Sequence, residues 1–307
     1  MKKILVATEK PFAKAAIDQI RPVVEEAGFE LALLEKYTDK AELLEAVKDV
    51  SAMIVRSDKV TREVIEAAPE LKIVVRAGAG YDNLDLAACT EKGIVAMNTP
   101  GQNSNAVAEL ALGMMVYLAR NSYNGAAGTE LRGKKLGIHA YGNVGHYVAK
   151  IAKGFGMEIF AFDPFVAKET IEADGITPVG SVEELYKTCH YISLHIPANE
   201  KTKQSINYEL LSQMPKGAVL VNTARKEVIH EEEILKLMAD RADFKYISDI
   251  APANAAEFEA NFAGRFFFTP KKMGAQTAEA NVNAGVAAAS QIVKFFQSGD
   301  ETFRVNK

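Results

Sequence analysis

Short apolar runs recur along this chain, and between them lie stretches whose apolar residues are spaced three and four apart. Residues 4–7, 31–34, 52–55 and 73–75 are such runs, while Phe12, Ala16, Ile20, Val23 and Val24 show the second spacing. The first pattern predicts strands buried on both faces, the second amphipathic helices. Repeated alternation of the two argues for parallel sheets covered by helices on either side. The rhythm breaks near residues 97–102, where a long helix, apolar over much of its circumference, is predicted for about 104–120. It resumes with predicted strands at 136–141, 158–162, 191–195, 218–222 and 246–250, and ends in an alanine-rich helix at 278–297. A chain of 307 residues has room for two ordinary domains. The expected fold is therefore α/β, with two Rossmann-like doubly wound domains. One is discontinuous, residues 1–99 plus 277–307, and the other spans residues 100–276.

Composition narrows the range of partners. A net charge of −4 gives no electrostatic reason to expect nucleic acid or an anionic membrane. Cys89 and Cys189 lie 100 residues apart with no metal-ligand spacing, so buried free thiols and no metal are expected. The apolar run at 4–7 is too short for the core of a signal peptide, and no segment reaches the length of a membrane span. A cytoplasmic location is expected.

One stretch carries chemistry by its shape. Residues 135–145 run strand, tight turn, helix, with the fingerprint Ala140-x-Gly142-x-x-Gly145, in which alanine replaces the first glycine of G-x-G-x-x-G. Gly142 lets backbone approach a pyrophosphate, Gly145 lets the helix pack on the sheet, and the helix N-terminus offers unpaired N–H groups. Asp163 follows Gly145 by 18 residues, at the end of the next predicted strand. A carboxylate there accepts the adenosine ribose hydroxyls and repels a 2′-phosphate, which favours NAD over NADP.

Three further motifs stand in order around this fingerprint: Arg76-Ala77-Gly78-Ala79-Gly80-Tyr81-Asp82-Asn83, Asn103-Ser104-Asn105-Ala106-Val107-Ala108-Glu109 and Val221-Asn222-Thr223-Ala224-Arg225. With them the chain resembles the D-2-hydroxyacid dehydrogenase family over nearly its full length. The first motif resembles the family's substrate loop. The second resembles the start of its interdomain helix, which also forms the family's dimer interface and so implies a homodimer through the 103–120 helix. The third resembles the strand end that carries its substrate-binding arginine. The resemblance implies NAD held by Tyr141, Gly142, Asn143, Val144, Gly145 and Asp163, with His195, Pro197, Thr202, Thr223, Ala224, Asp249 and Gly274 as further cofactor contacts. It implies a small 2-hydroxyacid substrate held by Arg225 and by Arg56, Ser57, Arg76, Ala77, Gly78 and Asn103. Arg56-Ser57 and the loop at 76–80 most resemble the branch that oxidises 3-phosphoglycerate, and two arginines at strand ends could neutralise a phosphate. The chain stops at Lys307, without the C-terminal regulatory domain of longer relatives, so feedback through such a domain is not expected.

The departures from the family are informative. Lys226 stands where a glycine usually follows the arginine motif. The segment that normally carries the catalytic histidine reads Thr269-Pro270-Lys271-Lys272-Met273-Gly274. Aligned on residues 274–277, Lys272 takes the histidine position; counted forward from Pro270, Lys271 does. The catalytic glutamate falls at Asn254. Oxidising an alcohol needs a base for the hydroxyl proton, and a lysine serves if burial and a positive neighbour such as Arg225 pull its pKa down. A carboxylate beside that lysine would trap the proton, so joint loss of histidine and glutamate is coherent with a lysine base. Two other readings stay open: a hydroxypyruvate or glyoxylate reductase, which needs no phosphate site, and a catalytically inert NAD-binding protein.

Overall fold

The computed structural model describes all residues, 1–307. It divides into two compact units, Met1–Asn103 with Gln276–Lys307, and Ser104–Ala275.

The first unit holds one parallel sheet of β1 (Lys3–Thr8), β2 (Glu30–Glu35), β3 (Ala52–Val55), β4 (Ile73–Arg76) and β5 (Val95–Asn98), in the order β2-β1-β3-β4-β5. Successive side chains alternate between faces, and both faces are covered. Ile4, Val6, Ile54, Val75 and Met97 join one core with Ala284, Ala288 and Ile292 of the helix Ala278–Ser298. Leu5, Ala7, Met53, Val55 and Val74 join the other. That last helix lies on the helix Lys14–Glu25, and Gly285 permits the approach: a Cβ there would stand 2.8 Å from Ile20 Cδ1. β5 lies where the sequence rhythm was expected to break, and its outer edge is covered. Val305 N donates to Ala96 O, and Ala96 N donates to Asn306 Oδ1, each at 2.8 Å.

The second unit opens with the helix Ser104–Ala119, whose Ala108, Leu112 and Met115 pack with Leu136, Ile138 and Val148. Its strands are β6 (Lys135–His139), β7 (Glu158–Phe162), β8 (Thr177–Pro178), β9 (Tyr191–Leu194), β10 (Val219–Asn222), β11 (Lys245–Ser248) and β12 (Phe266–Phe268). All pair in parallel, in the order β12-β11-β10-β9-β6-β7-β8. β8 and β12 are two and three residues long, too short to leave a periodic signal in the sequence. The strand predicted at 136–141 stops at His139 because Ala140 turns to φ +80°. Cys89 and Cys189 are free and buried, and burial pushes their thiols up to about 11 and about 12. No helix is long and apolar enough to cross a membrane.

Candidate active site

Chain order reverses in the second sheet between β6 and β9, and open α/β sheets bind ligands in the crevice at the carboxyl ends of such a pair. The loop that leaves β6 has the geometry the fingerprint asks for. Ala140 holds the left-handed φ that the missing glycine would adopt without strain. Gly142 caps the helix Asn143–Gly154, and no heavy atom lies within 4 Å of where its Cβ would stand. A Cβ on Gly145 would sit 2.6 Å from Ala140 O and 3.1 Å from Ile138 Cγ2, so only glycine lets the helix close on the strand. Open space above Gly142, with the first-turn amides of Asn143 and Val144 beside it, suits a pyrophosphate. The half-buried Asp163 follows β7; its Oδ2 accepts Tyr141 N and its Oδ1 accepts Phe165 N, both at 2.8 Å. Those bonds fix the carboxylate beside the loop. Tyr141 contributes only backbone here, since its ring is buried and its hydroxyl donates to Asp174 Oδ2 at 2.8 Å.

Across the crevice His195 follows β9, its N–H donating to His139 O. Its Nε2 lies 2.9 Å from Ser193 Oγ, and burial, reinforced by His139, pushes its pKa down to about 3. His195 is therefore neutral and unsuited to shuttling protons near neutrality. Pro197 O accepts the Thr202 hydroxyl, a brace within the following loop.

A second polar cluster stands at the carboxyl edges of β10 and β11. Asn222 Oδ1 accepts Ala224 N, and its Nδ2 donates to Arg225 O, both at 3.0 Å, which shapes the turn carrying Arg225. Thr223 in that turn is buried, with its hydroxyl unpartnered. Lys272 Nζ donates to Ala224 O at 2.7 Å and lies 3.3 Å from Asp249 Oδ1. Asp249 Oδ2 accepts Gly274 N at 3.2 Å, and a Cβ on Gly274 would crowd that oxygen at 2.8 Å. Gly274 thus fixes the register and brings in Lys272. Lys271 is exposed and joins the segment through its carbonyl, which accepts Thr269 Oγ1 at 2.7 Å; Lys272 also keeps 40% of its side-chain surface accessible, so only the protein-facing side of its amine is enclosed.

Burial pulls the Lys272 pKa below that of an ordinary lysine; Arg225 adds to the effect and Asp249 opposes it. Asp249, only 1% exposed, is shifted up by burial, with Lys272 and Gly274 pulling it back. The expectation that no carboxylate accompanies the lysine is corrected here. Asn254 indeed lies elsewhere, its Nδ2 donating to Glu231 O at 2.8 Å, but Asp249 stands beside the amine. The resemblance made Asp249 a cofactor contact, whereas here its oxygens meet Lys272 and Gly274.

In the first unit Arg56 and Arg76 stand at the ends of β3 and β4. Arg56 is occupied internally: Nη1 donates to Lys10 O and Pro11 O at 3.2 and 3.1 Å, and Nη2 to Asn281 Oδ1 at 2.6 Å. The guanidinium also lies 5.1 Å from the Phe12 ring centre, so Arg56 is a strut where the resemblance implied a substrate contact. Arg76 Nε donates to Arg56 O at 2.9 Å. Its guanidinium lies over Gly78, where a Cβ would come within 1.6 Å of Nη1; that residue, at φ +147°, must be glycine. The Ala77 amide, expected at a substrate carboxylate, is here bonded to Val55 O at 2.8 Å. Ser57 is exposed and Asn103 half-buried.

A doubly wound parallel sheet with a glycine loop at its switch point is the architecture of dinucleotide-binding α/β proteins. Residues 7–306 match the family described as D-isomer specific 2-hydroxyacid dehydrogenase, catalytic domain, and the chain belongs to that family. It is similar to the crystal structure of NAD+-bound 3-phosphoglycerate dehydrogenase of Entamoeba histolytica. The identity is 49%, the TM-score 0.88, and the match covers 100% of this chain and 99% of the other. It is 39% identical to D-3-phosphoglycerate dehydrogenase of Methanocaldococcus jannaschii, over 96% of this chain and 57% of that protein. It is also 35% identical to hydroxypyruvate reductase of Thermotoga maritima, over 86% of this chain and 91% of that protein. The chain thus spans little more than half the length of the Methanocaldococcus relative.

Proposed function

We propose that the chain is an NAD-dependent dehydrogenase that oxidises 3-phosphoglycerate to 3-phosphohydroxypyruvate, the entry to serine synthesis. What supports this reading is the Lys272 amine bonded to Ala224 O, on the turn that carries Arg225 and in the same unit as the glycine loop, together with the similarity to the NAD+-bound 3-phosphoglycerate dehydrogenase of Entamoeba histolytica. In this reading the amides at 142–145 hold the pyrophosphate of NAD and Asp163 holds the adenosine ribose. A bound NAD supplies a hydride acceptor for the carbon that bears the hydroxyl. Neutral Lys272 takes the hydroxyl proton as that hydride leaves, and its ammonium returns the proton in the reverse direction. Arg225 pairs with the substrate carboxylate, and phosphate recognition falls to Arg76. Pairing of two copies through the helix Ser104–Ala119 belongs to the same reading, since that apolar helix leaves Leu110, Val116 and Tyr117 only partly covered.

A reductase of hydroxypyruvate is the second reading, favoured by the similarity to the Thermotoga protein. One assay separates the two. Purified protein with NAD and a panel of 2-hydroxyacids, followed by NADH absorbance, should show 3-phosphoglycerate as the best substrate. Arg76→Ala should weaken it far more than unphosphorylated acids. Equal losses would move Arg76 to structural support and favour the reductase, while no turnover on any acid would leave an inert binding protein. Asp163→Ala should erode the preference for NAD over NADP.

A further inference from the structure

We propose that Asp249 is the positioning residue of Lys272, a buried carboxylate that aims the amine from 23 positions earlier in the chain. The inference rests on Lys272 being the proton carrier. Asp249 is itself held from two sides, its N–H donating to Asn222 O at 3.1 Å and its Oδ2 accepting Gly274 N. That leaves Oδ1 for Lys272, while Ala224 O takes a second N–H of the same amine. Lysine nitrogen is tetrahedral, and an ammonium has three donors. With two directions fixed by protein acceptors, the third is determined in both protonation states. It carries the lone pair when the amine is neutral and the transferable proton when it is charged.

The charged groups acting on Lys272 are Asp249 and Glu227, which favour the ammonium, and Arg225, which disfavours it. Partial desolvation outweighs the two carboxylates even though 40% of the side-chain surface stays accessible, so the amine remains a weaker base than an ordinary lysine. Asp249 therefore aims the nitrogen without locking the proton onto it. Asn254 is engaged elsewhere: it stands before the helix Ala255–Asn261, and its Nδ2 donates to Glu231 O.

The test reads the amine directly, without cofactor or substrate. Acylation of the intact chain by acetic anhydride across a pH series, resolved residue by residue in a mass spectrometer, gives the titration midpoint of each lysine. Lys272 should titrate below the ordinary lysine value, and Asp249→Asn, which keeps the shape and removes the charge, should lower its midpoint by about one further pH unit, roughly tenfold in basicity. A midpoint unchanged or raised in the variant overturns the proposal. Should Asp249→Asn fail to fold, the reciprocal measurement decides: Lys272→Met should raise the Asp249 midpoint, read by carboxyl carbon NMR, and an unmoved Asp249 would contradict the pairing. The two layers fail separately. Full turnover in Lys272→Ala sinks the proton-carrier reading whatever the labelling shows. A flat labelling result beside a dead Lys272→Ala sinks only the role of Asp249.

Discussion

The two sheets are built from the same parallel βα repeat, yet they treat their switch points in opposite ways. In the first unit the winding reverses between β1 and β3, and the space beyond them is filled from within. Arg56 reaches back to Lys10 O and Pro11 O, while the buried Asp58 accepts Glu9 N at 2.6 Å and the Tyr37 hydroxyl at 2.9 Å. In the second unit the reversal lies between β6 and β9, and the loop there is kept bare by Gly142 and closed behind by Gly145. Topology offers a crevice in both cases, and side chains decide whether a ligand can use it.

The largest separation between the units should appear in acid. All five histidines lie in the second unit. Burial pushes His139 down to about 4, so the folded state holds it neutral. An unfolded chain protonates it near its ordinary value of about 6.5 and binds more protons below that point. Stability is therefore lost as pH falls from about 6.5 toward 4, by on the order of 3 kcal/mol from this group alone. Denaturant unfolding at pH 7 and pH 4 should show His139→Gln losing less than the wild type, with amide exchange accelerating in the second unit. Equal losses in both proteins would remove the histidine from the account.

A smaller effect tests the filled crevice of the first unit. Arg56→Ala should destabilise by about 2 kcal/mol, through charge-assisted bonds to Lys10 O, Pro11 O and Asn281. It should also weaken phosphorylated and unphosphorylated substrates alike. A stable variant with a selective loss of 3-phosphoglycerate would return Arg56 to phosphate recognition and break the contrast between the crevices. The smallest effect concerns the loop of the second unit. Relieving a left-handed alanine is worth about 1–2 kcal/mol, against about 0.4–1 kcal/mol for the extra freedom of unfolded glycine. Ala140→Gly should therefore stabilise by roughly 0.5–1 kcal/mol and raise Tm by a few degrees. A lower Tm would mean that Ala140 is not strained at φ +80°.

Much of this was legible in the sequence because it depends on local pattern. Buried parallel strands are apolar runs, and the glycine loop is a fixed spacing, so β3, β7 and the helix beginning at Ser104 follow directly from the letters. β5 was missed because the polar Asn98 and Thr99 close its short run, and β12 because three phenylalanines carry no period. The site was less legible where partners lie far apart in the chain. Nothing near Lys272 announces Asp249, and nothing near Arg56 announces Asn281, 225 positions away. The brace made by Asn222 had one local signal, a polar residue ending a buried strand just before the arginine.

Whether Lys272 carries the proton is decided by turnover of Lys272→Ala and Lys271→Ala on 3-phosphoglycerate, with NAD affinity measured in parallel by calorimetry. Lys272→Ala should lose roughly 10²–10⁴-fold in kcat while binding NAD as tightly as the wild type. Lys271→Ala should remain close to wild type in both. Wild-type turnover in Lys272→Ala, with NAD still bound, would exclude Lys272 as the base.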